Sequence, residues 1–335
     1  MVKSATNQEI AVEAFNGPAF QFVEQVLWED LEEQGGFGKR TTPLLVKGAV
    51  KAWPAWERWS FDELSALRQP DGQEVMFRFQ NGLVEQGVTK EPPLLPISPY
   101  LRELAEAAQV TRPEKKGLLS EQRLKELSSK DCFHLDWAHL QSFEPNRIYL
   151  AQWHILNEFP HLRKDFDIRQ LWSGLRWTWE YVFIGPTNTV TGLHYDFPNN
   201  WFCQVRGTKE FILFAPDQNE HLCPSRKYDW GATLSDVNIS QLDRPSCERS
   251  AFEKSHGLYA RVEAGDALFV PRRNWHAVVS LEPSISLAVF GLTPAEILIG
   301  GGQSEAKNLL HRLGLYRKGN CTCHKMPTSP ARDAA

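Results

Sequence analysis

Short apolar runs separated by Gly, Pro, Asn or Asp recur from residue 146 to about residue 290. They fall at residues 181–184, 201–205, 210–214, 267–270, 277–279 and 285–290. Runs of this length bounded by turn residues predict strands, and this spacing predicts an antiparallel sandwich or small barrel. Ahead of that block the pattern is mixed. Apolar positions in residues 20–31 recur at helical spacing, whereas Pro43-Leu44-Leu45-Val46-Lys47-Gly48 reads as a short buried strand stopped by a glycine turn. Trp53-Pro54-Ala55-Trp56 leads into a helix start at Ser60, with Glu63 three residues on as in a capping box. Residues 76–89 alternate as a strand pair about Asn81-Gly82, a hairpin signal. Between 91 and 130 the character changes: Pro92-Pro93, Pro96 and Pro99 break regular structure, and residues 101–130 form a charged helical stretch. Residues 111–116 carry no fold signal. The tail, residues 294–315, is helical in pattern after the Gly300-Gly301-Gly302 break, and the chain has no internal repeat.

Composition adds bounds. A chain of 335 residues can bury a substantial core. The net charge is only -4 and no basic block stands out, which weighs against a nucleic-acid partner. The first sixteen residues lack the apolar core of a signal peptide, and no apolar run reaches membrane-spanning length. Six thinly spread cysteines fit reduced thiols in the cytoplasm, or the nucleus of a eukaryote, better than a disulfide framework. The twelve tryptophans are read mainly as packing residues; Trp153, Trp177, Trp179, Trp201 and Trp230 are the ones that could line a cleft.

The candidate chemistry lies in the strand-rich block. In a strand, residues two apart face the same side, so His194 and Asp196 converge while Tyr195 turns away. His276, arriving from a distant strand, completes a two-histidine, one-carboxylate face that suits non-haem Fe(II) and leaves other coordination positions open. A small dicarboxylate that chelates iron needs a cation and a hydroxyl at its far end; Lys209 and Thr191 can supply them, and Asn200 an amide. By spacing alone, Lys209 reads equally well as a solvated charge in a tight Arg206-Gly207-Thr208-Lys209 hairpin turn.

Thr191-Gly192-Leu193-His194-Tyr195-Asp196, followed by Asn200-Trp201-Phe202-Cys203-Gln204-Val205-Arg206-Gly207-Thr208-Lys209, resembles the core of the JmjC (cupin-like) hydroxylases. Glu263-Ala264-Gly265-Asp266-Ala267-Leu268-Phe269-Val270-Pro271 through Trp275-His276 is similar to their second metal-bearing strand. Pro43 through Trp53-Pro54-Ala55, and Tyr149-Leu150-Ala151-Gln152, also resemble the small protein-hydroxylase members. The likeness covers roughly residues 40 to 290. It implies a mainly β fold with flanking helices and a double-stranded β-helix (cupin or jelly-roll) core. The core would occupy 146–292, between an N-terminal α/β flank (1–90), a variable helical insertion (91–145) and a C-terminal helical segment with a mobile tail (293–335). It also implies Fe(II) held by His194, Asp196 and His276, 2-oxoglutarate as cosubstrate and O2 as oxidant. Lys209, Thr191, Asn200 and Tyr149 fall where the family's 2-oxoglutarate contacts lie. Other oxygenase families carry an arginine ten residues after the last histidine; here that residue is Ser286, which fits the Lys209 arrangement.

The implied reaction is hydroxylation of a C–H bond, with succinate and CO2 as coproducts. The small members favour a protein side chain over histone demethylation, with a metabolite or a tRNA nucleoside as alternatives. An N-methyl carbon hydroxylated in this way is lost. A non-enzymatic cupin module predicts broken ligands, and a cupin enzyme without 2-oxoglutarate predicts three histidines with a glutamate; the sequence shows neither pattern. His134-Leu135-Asp136 with His139 lacks a strand frame and reads as structural, and Cys321-Thr322-Cys323-His324 reads as a mobile tail lacking a fourth metal ligand. Gln152 is a candidate cleft polar group. His154, His161, His221, His256 and His311 are read as surface or satisfied core groups. The C-terminal helical segment is expected to form a homodimer contact, as in several similar hydroxylases.

Overall fold

The computed structural model describes residues 15–33, 37, 40–81, 93–110, 116–146, 148–171, 177–229, 231–298 and 302–322. Eight strands form the centre: β1 (Trp177–Gly185), β2 (Val190–Asp196), β3 (Asn199–Arg206), β4 (Lys209–Phe214), β5 (His256–Val262), β6 (Ala267–Val270), β7 (Trp275–Ser280) and β8 (Ser284–Leu292). Four pair as β2-β7-β4-β5 inside a seven-stranded sheet, and four as β6-β3-β8-β1 inside an eight-stranded sheet. Every pairing within these two quartets is antiparallel. Except from β4 to β5, which pair within one sheet, the chain alternates between sheets as it winds, which is the double-stranded β-helix.

Side-chain period decides which face each residue serves. On β4, Phe211 and Leu213 join Phe202, Leu268, Val278 and Phe290 between the sheets. Ile212 and Phe214 point the other way, into a cluster with Phe20, Trp137, Phe252 and Trp275. The outer face of the eight-stranded sheet is covered by Trp53, Trp59, Leu101 and Trp153 against Trp201 and Val289. Removing each such large apolar side chain from water contributes roughly 1.5–3 kcal/mol.

Several expectations change. Residues 20–31 are not one helix: Ala19–Phe22 pairs in parallel with β5 and Glu24–Leu27 with Leu44–Lys47, and only Trp28–Glu33 is helical. A twelve-residue helical pattern, marginal as an isolated helix, could not compete with two ladders that extend both sheets. The strand at Leu44–Lys47 and the Ser60 cap both form, Ser60 Oγ accepting from the Glu63 amide. The hairpin at Asn81-Gly82 is not what the described strands form: Met76–Arg78 pairs with Leu94–Pro96, and Gln80–Asn81 with Ile148–Tyr149, while Gly82 and Pro92 lie outside the described residues. Pro99 does not break structure, because it sits in the first turn of the helix Ile97–Gln109, where its missing N–H has no intrahelical partner to lose.

Arg206-Gly207-Thr208-Lys209 is not a hairpin turn, since β3 and β4 belong to different sheets. It is a corner, and Gly207 makes it at φ +73°, where a Cβ would strike the Pro283 carbonyl. Next to the corner, Glu210 faces outward and is fully buried. Its carboxylate accepts from Tyr259 Oη (2.6 Å), Arg261 Nη2 (3.2 Å) and the Leu118 amide (2.7 Å), which pins the segment before Glu121–Glu126 to the sheet. Gly117 is required there, because a Cβ would overlap the same carboxylate. Among the described residues no helix is long and apolar enough to cross a membrane.

Candidate active site

The triad is assembled by register. β2 and β7 are neighbours, and His194 lies directly opposite His276. A register shift between Thr191 and His194 re-aims the end of β2; Leu193 and Tyr195 then pack on the outer cluster, so His194 and Asp196 face the interior. Asp196 Oδ2 is 3.9 Å from His194 Nε2 and 3.7 Å from His276 Nε2, and the two imidazole centroids are 4.3 Å apart. Two metal–ligand bonds of about 2.1 Å span such gaps. His194 Nδ1 donates to the Gly192 carbonyl (2.8 Å) and His276 Nδ1 to the Asn274 carbonyl (3.1 Å). A carbonyl can only accept, so both Nε2 atoms keep a free lone pair. Burial pushes the His276 pKa down to about 3, with His194 adding to the effect, so this ring is neutral. Burial also raises the Asp196 carboxyl, partly opposed by His194. Two imidazole nitrogens and a desolvated carboxylate form a set that can hold a divalent metal.

Lys209 is buried, not solvated. Its place on β4, two before Phe211, turns it between the sheets, with Nζ 5.1 Å from the Phe202 ring centroid. It makes no ion pair among the described residues, and burial alone pulls its pKa down to about 7. That depression is equivalent to roughly 5 kcal/mol of desolvation. On β3, Asn200 is 5% exposed and its Oδ1 has no partner. Tyr149, on the strand Ile148–Trp153, brings its hydroxyl to 3.5 Å from Thr191 Oγ1. Ser286 donates to Gln204 Oε1 (2.8 Å). A buried cation without an ion-pair partner suits a carboxylate, to which the Tyr149 and Thr191 hydroxyls and the Asn200 amide N–H can donate, the Asn200 Oδ1 being an acceptor only.

Other expected sites fall elsewhere. His134 Nδ1 donates to the Asn16 carbonyl, and the Asp136 amide to the Leu118 carbonyl, so that motif is structural. Gln152 is exposed at φ +56°, within the register shift of its strand. Trp153 and Trp201 are core residues, whereas Trp179 faces the inner cluster. Trp230, Cys323 and His324 lie outside the described residues. Cys321 is no mobile tail: it is buried and bridges to Tyr228. Two neighbours of the triad escaped the sequence reading. Tyr181 faces inward against His154 (centroids 4.4 Å), its phenol raised by burial and by Asp196. Asp229 is raised chiefly by burial, accepts from Thr322 Oγ1 and senses His194. The alternation 179, 181, 183 could have found the first, but no local signal marks Asp229.

A family model described as the cupin-like domain matches residues 32–290. The chain belongs to this JmjC-type cupin family. It is 31% identical over 145 residues to Jumonji C domain-containing protein 5 of Drosophila melanogaster, covering 42% of this chain and 35% of that protein. It is 24% identical over 273 residues to arginine-specific demethylase JMJ22 of Arabidopsis thaliana, covering 75% of this chain and 42% of that protein. Against tRNA wybutosine-synthesizing protein 5 of Gallus gallus the identity is 30% over 137 residues, 41% of each chain. The chain thus spans less than half the length of these relatives.

Proposed function

We propose that this protein is an Fe(II)- and 2-oxoglutarate-dependent oxygenase that hydroxylates a C–H bond of a protein side chain. The observation that carries the reading is Lys209, a buried cation with no ion-pair partner among the described residues, turned between the two sheets, the side that the His194–Asp196–His276 face also addresses. Fe(II), 2-oxoglutarate and O2, when bound, supply oxidative decarboxylation to succinate and CO2 coupled to C–H oxidation. The chain supplies the rest. His194, Asp196 and His276 hold the metal from one side, their Nε2 atoms aimed by the Gly192 and Asn274 carbonyls. Lys209 neutralises the far carboxylate of the cosubstrate, and Thr191, Tyr149 and Asn200 orient it. Tyr181, Trp179 and Phe290 form an apolar wall that excludes water.

In this reading residues 146–292 are the catalytic core, 1–90 and 91–145 are a flank and an insertion, and 293–335 are a C-terminal segment; the described residues 302–322 meet the core at its rim through Tyr228. None of the five described cysteines is in a disulfide, in keeping with a reducing cytosolic or nuclear setting. Leu298, Leu309, Leu313 and Leu315 are exposed, which supports a second copy of this chain as partner of the C-terminal segment. Light scattering across a dilution series should show dimer dissociating to monomer; a monomer at every concentration overturns that part.

The enzyme reading is tested by incubating the protein aerobically with Fe(II), 2-oxoglutarate and a protein extract, following succinate and the gain of one oxygen atom on tryptic peptides. Both should depend on Asp196. Succinate formed equally by Asp196→Ala, or appearing without any oxygenated peptide, contradicts it.

A further inference from the structure

Beside the triad, a cavity of about 150 Å³ opens between β2, the 227–233 segment and the C-terminal residues 307–317. Lys227, Arg273, Lys307 and Arg317 line it, and none of the four forms an ion pair among the described residues. One carboxylate, Asp229, faces these four cations, and it already accepts from Thr322. The wall is built rather than casual. Tyr228 donates to Asn308 Oδ1, stacks on His311 (centroids 4.0 Å) and ladders to Cys321, fastening residues 302–322 to the rim. Arg273 is held at φ +60°, a backbone conformation costly for a non-glycine residue, with its amide donating to the carbonyl of the metal-face residue Asp196.

We infer that this pocket docks an acidic side chain of the protein substrate, adjacent in its sequence to the residue that is oxidised. The inference deepens the proposed function and rests on it. Asp229 in the pocket wall acts electrostatically on both Asp196 and His194, and the Arg273 amide donates to the Asp196 carbonyl, so a chain reaching the triad carries its next residues past these cations. A cavity of this size has room for an Asp or Glu side chain. The overall charge of -4 leaves this as a local cationic patch, not the extended stripe that a phosphodiester backbone engages.

The test is fluorescence anisotropy with dye-labelled hexaglutamate, hexalysine and a single-stranded hexanucleotide, using the full chain at low and high salt. Hexaglutamate should bind, weaken with salt, and lose at least tenfold in affinity in the Lys307→Glu/Arg317→Glu protein. Hexalysine should not bind. Absence of hexaglutamate binding, or equal affinity in the variant, overturns the inference; tighter hexanucleotide binding that is lost in the variant overturns it in favour of a nucleic acid. The Fe(II)–2-oxoglutarate absorption band, recorded on the same samples, reads the metal site alone. Its absence would strike the proposed function, whereas its presence with no peptide binding would strike only the pocket.

Discussion

Lys209 and Glu210 are consecutive residues on β4, both buried and both charged, yet they meet opposite worlds. Glu210 faces outward and every one of its contacts is answered, by Tyr259, Arg261 and the Leu118 amide. Lys209 faces the space between the sheets, where an aromatic ring is its recorded neighbour and burial pulls its pKa to about 7. Charged groups taken out of water are tolerated when paired and costly when not. In the proposed function Lys209 is kept for the carboxylate of the cosubstrate. The same contrast holds for the histidine motifs. His134 and Asp136 are tied to loop backbone and converge on no third ligand among the described residues, whereas His194 and His276 meet Asp196 with their Nε2 atoms.

The contrast can be broken at four strengths. The largest effect is expected at the triad: Asp196→Ala should bring Fe(II)-dependent succinate formation below detection while urea unfolding stays within about 1 kcal/mol of the parent. Next, Glu210→Ala should cost about 3–5 kcal/mol in the same unfolding measurement, because Arg261 and Tyr259 lose their shared acceptor. Its folded fraction should still bind 2-oxoglutarate. Third, Lys209→Met should reverse that pattern, weakening 2-oxoglutarate roughly a hundredfold, about 3 kcal/mol, with stability no lower than the parent. A loss of stability matching that of Glu210→Ala would erase the distinction. pH sharpens this case. Without a bound dianion Lys209 titrates near about 7. The dianion favours the protonated form, so affinity should fall as pH rises above 7, by up to about tenfold per unit, with the slope lost in Lys209→Met. The unloaded protein should gain stability from pH 7 towards the ordinary lysine range, because there the unfolded chain binds more protons. The smallest effect is expected for Thr191→Val: about a tenfold rise in the KM for 2-oxoglutarate, with kcat little changed.

Much of this was legible in residues alone. The spacing of apolar runs foretold β1, β3, β4, β6, β7 and β8 but not β5, and the two-residue period foretold that His194 and Asp196 share a face. Lys209 was ambiguous because spacing does not tell a hairpin from a corner between sheets; only the pairing of β3 with β8 and of β4 with β7 settles that it points inward. The N-terminal strands were hidden because four-residue edge strands take their structure from the ladders they join, not from their own pattern. Asp229 and the C-terminal rim were hidden because their bonds run across about ninety residues, between Tyr228-Asp229 and Cys321-Thr322.

The most direct test of the central claim is anaerobic titration of the purified protein with Fe(II) and then 2-oxoglutarate, watching the weak visible charge-transfer absorption of the chelate. The account predicts that the band forms in the parent, persists in Glu210→Ala and is lost in Lys209→Met at the same cosubstrate concentration. Iron binding without any band in the parent, or an undiminished band in Lys209→Met, would contradict it.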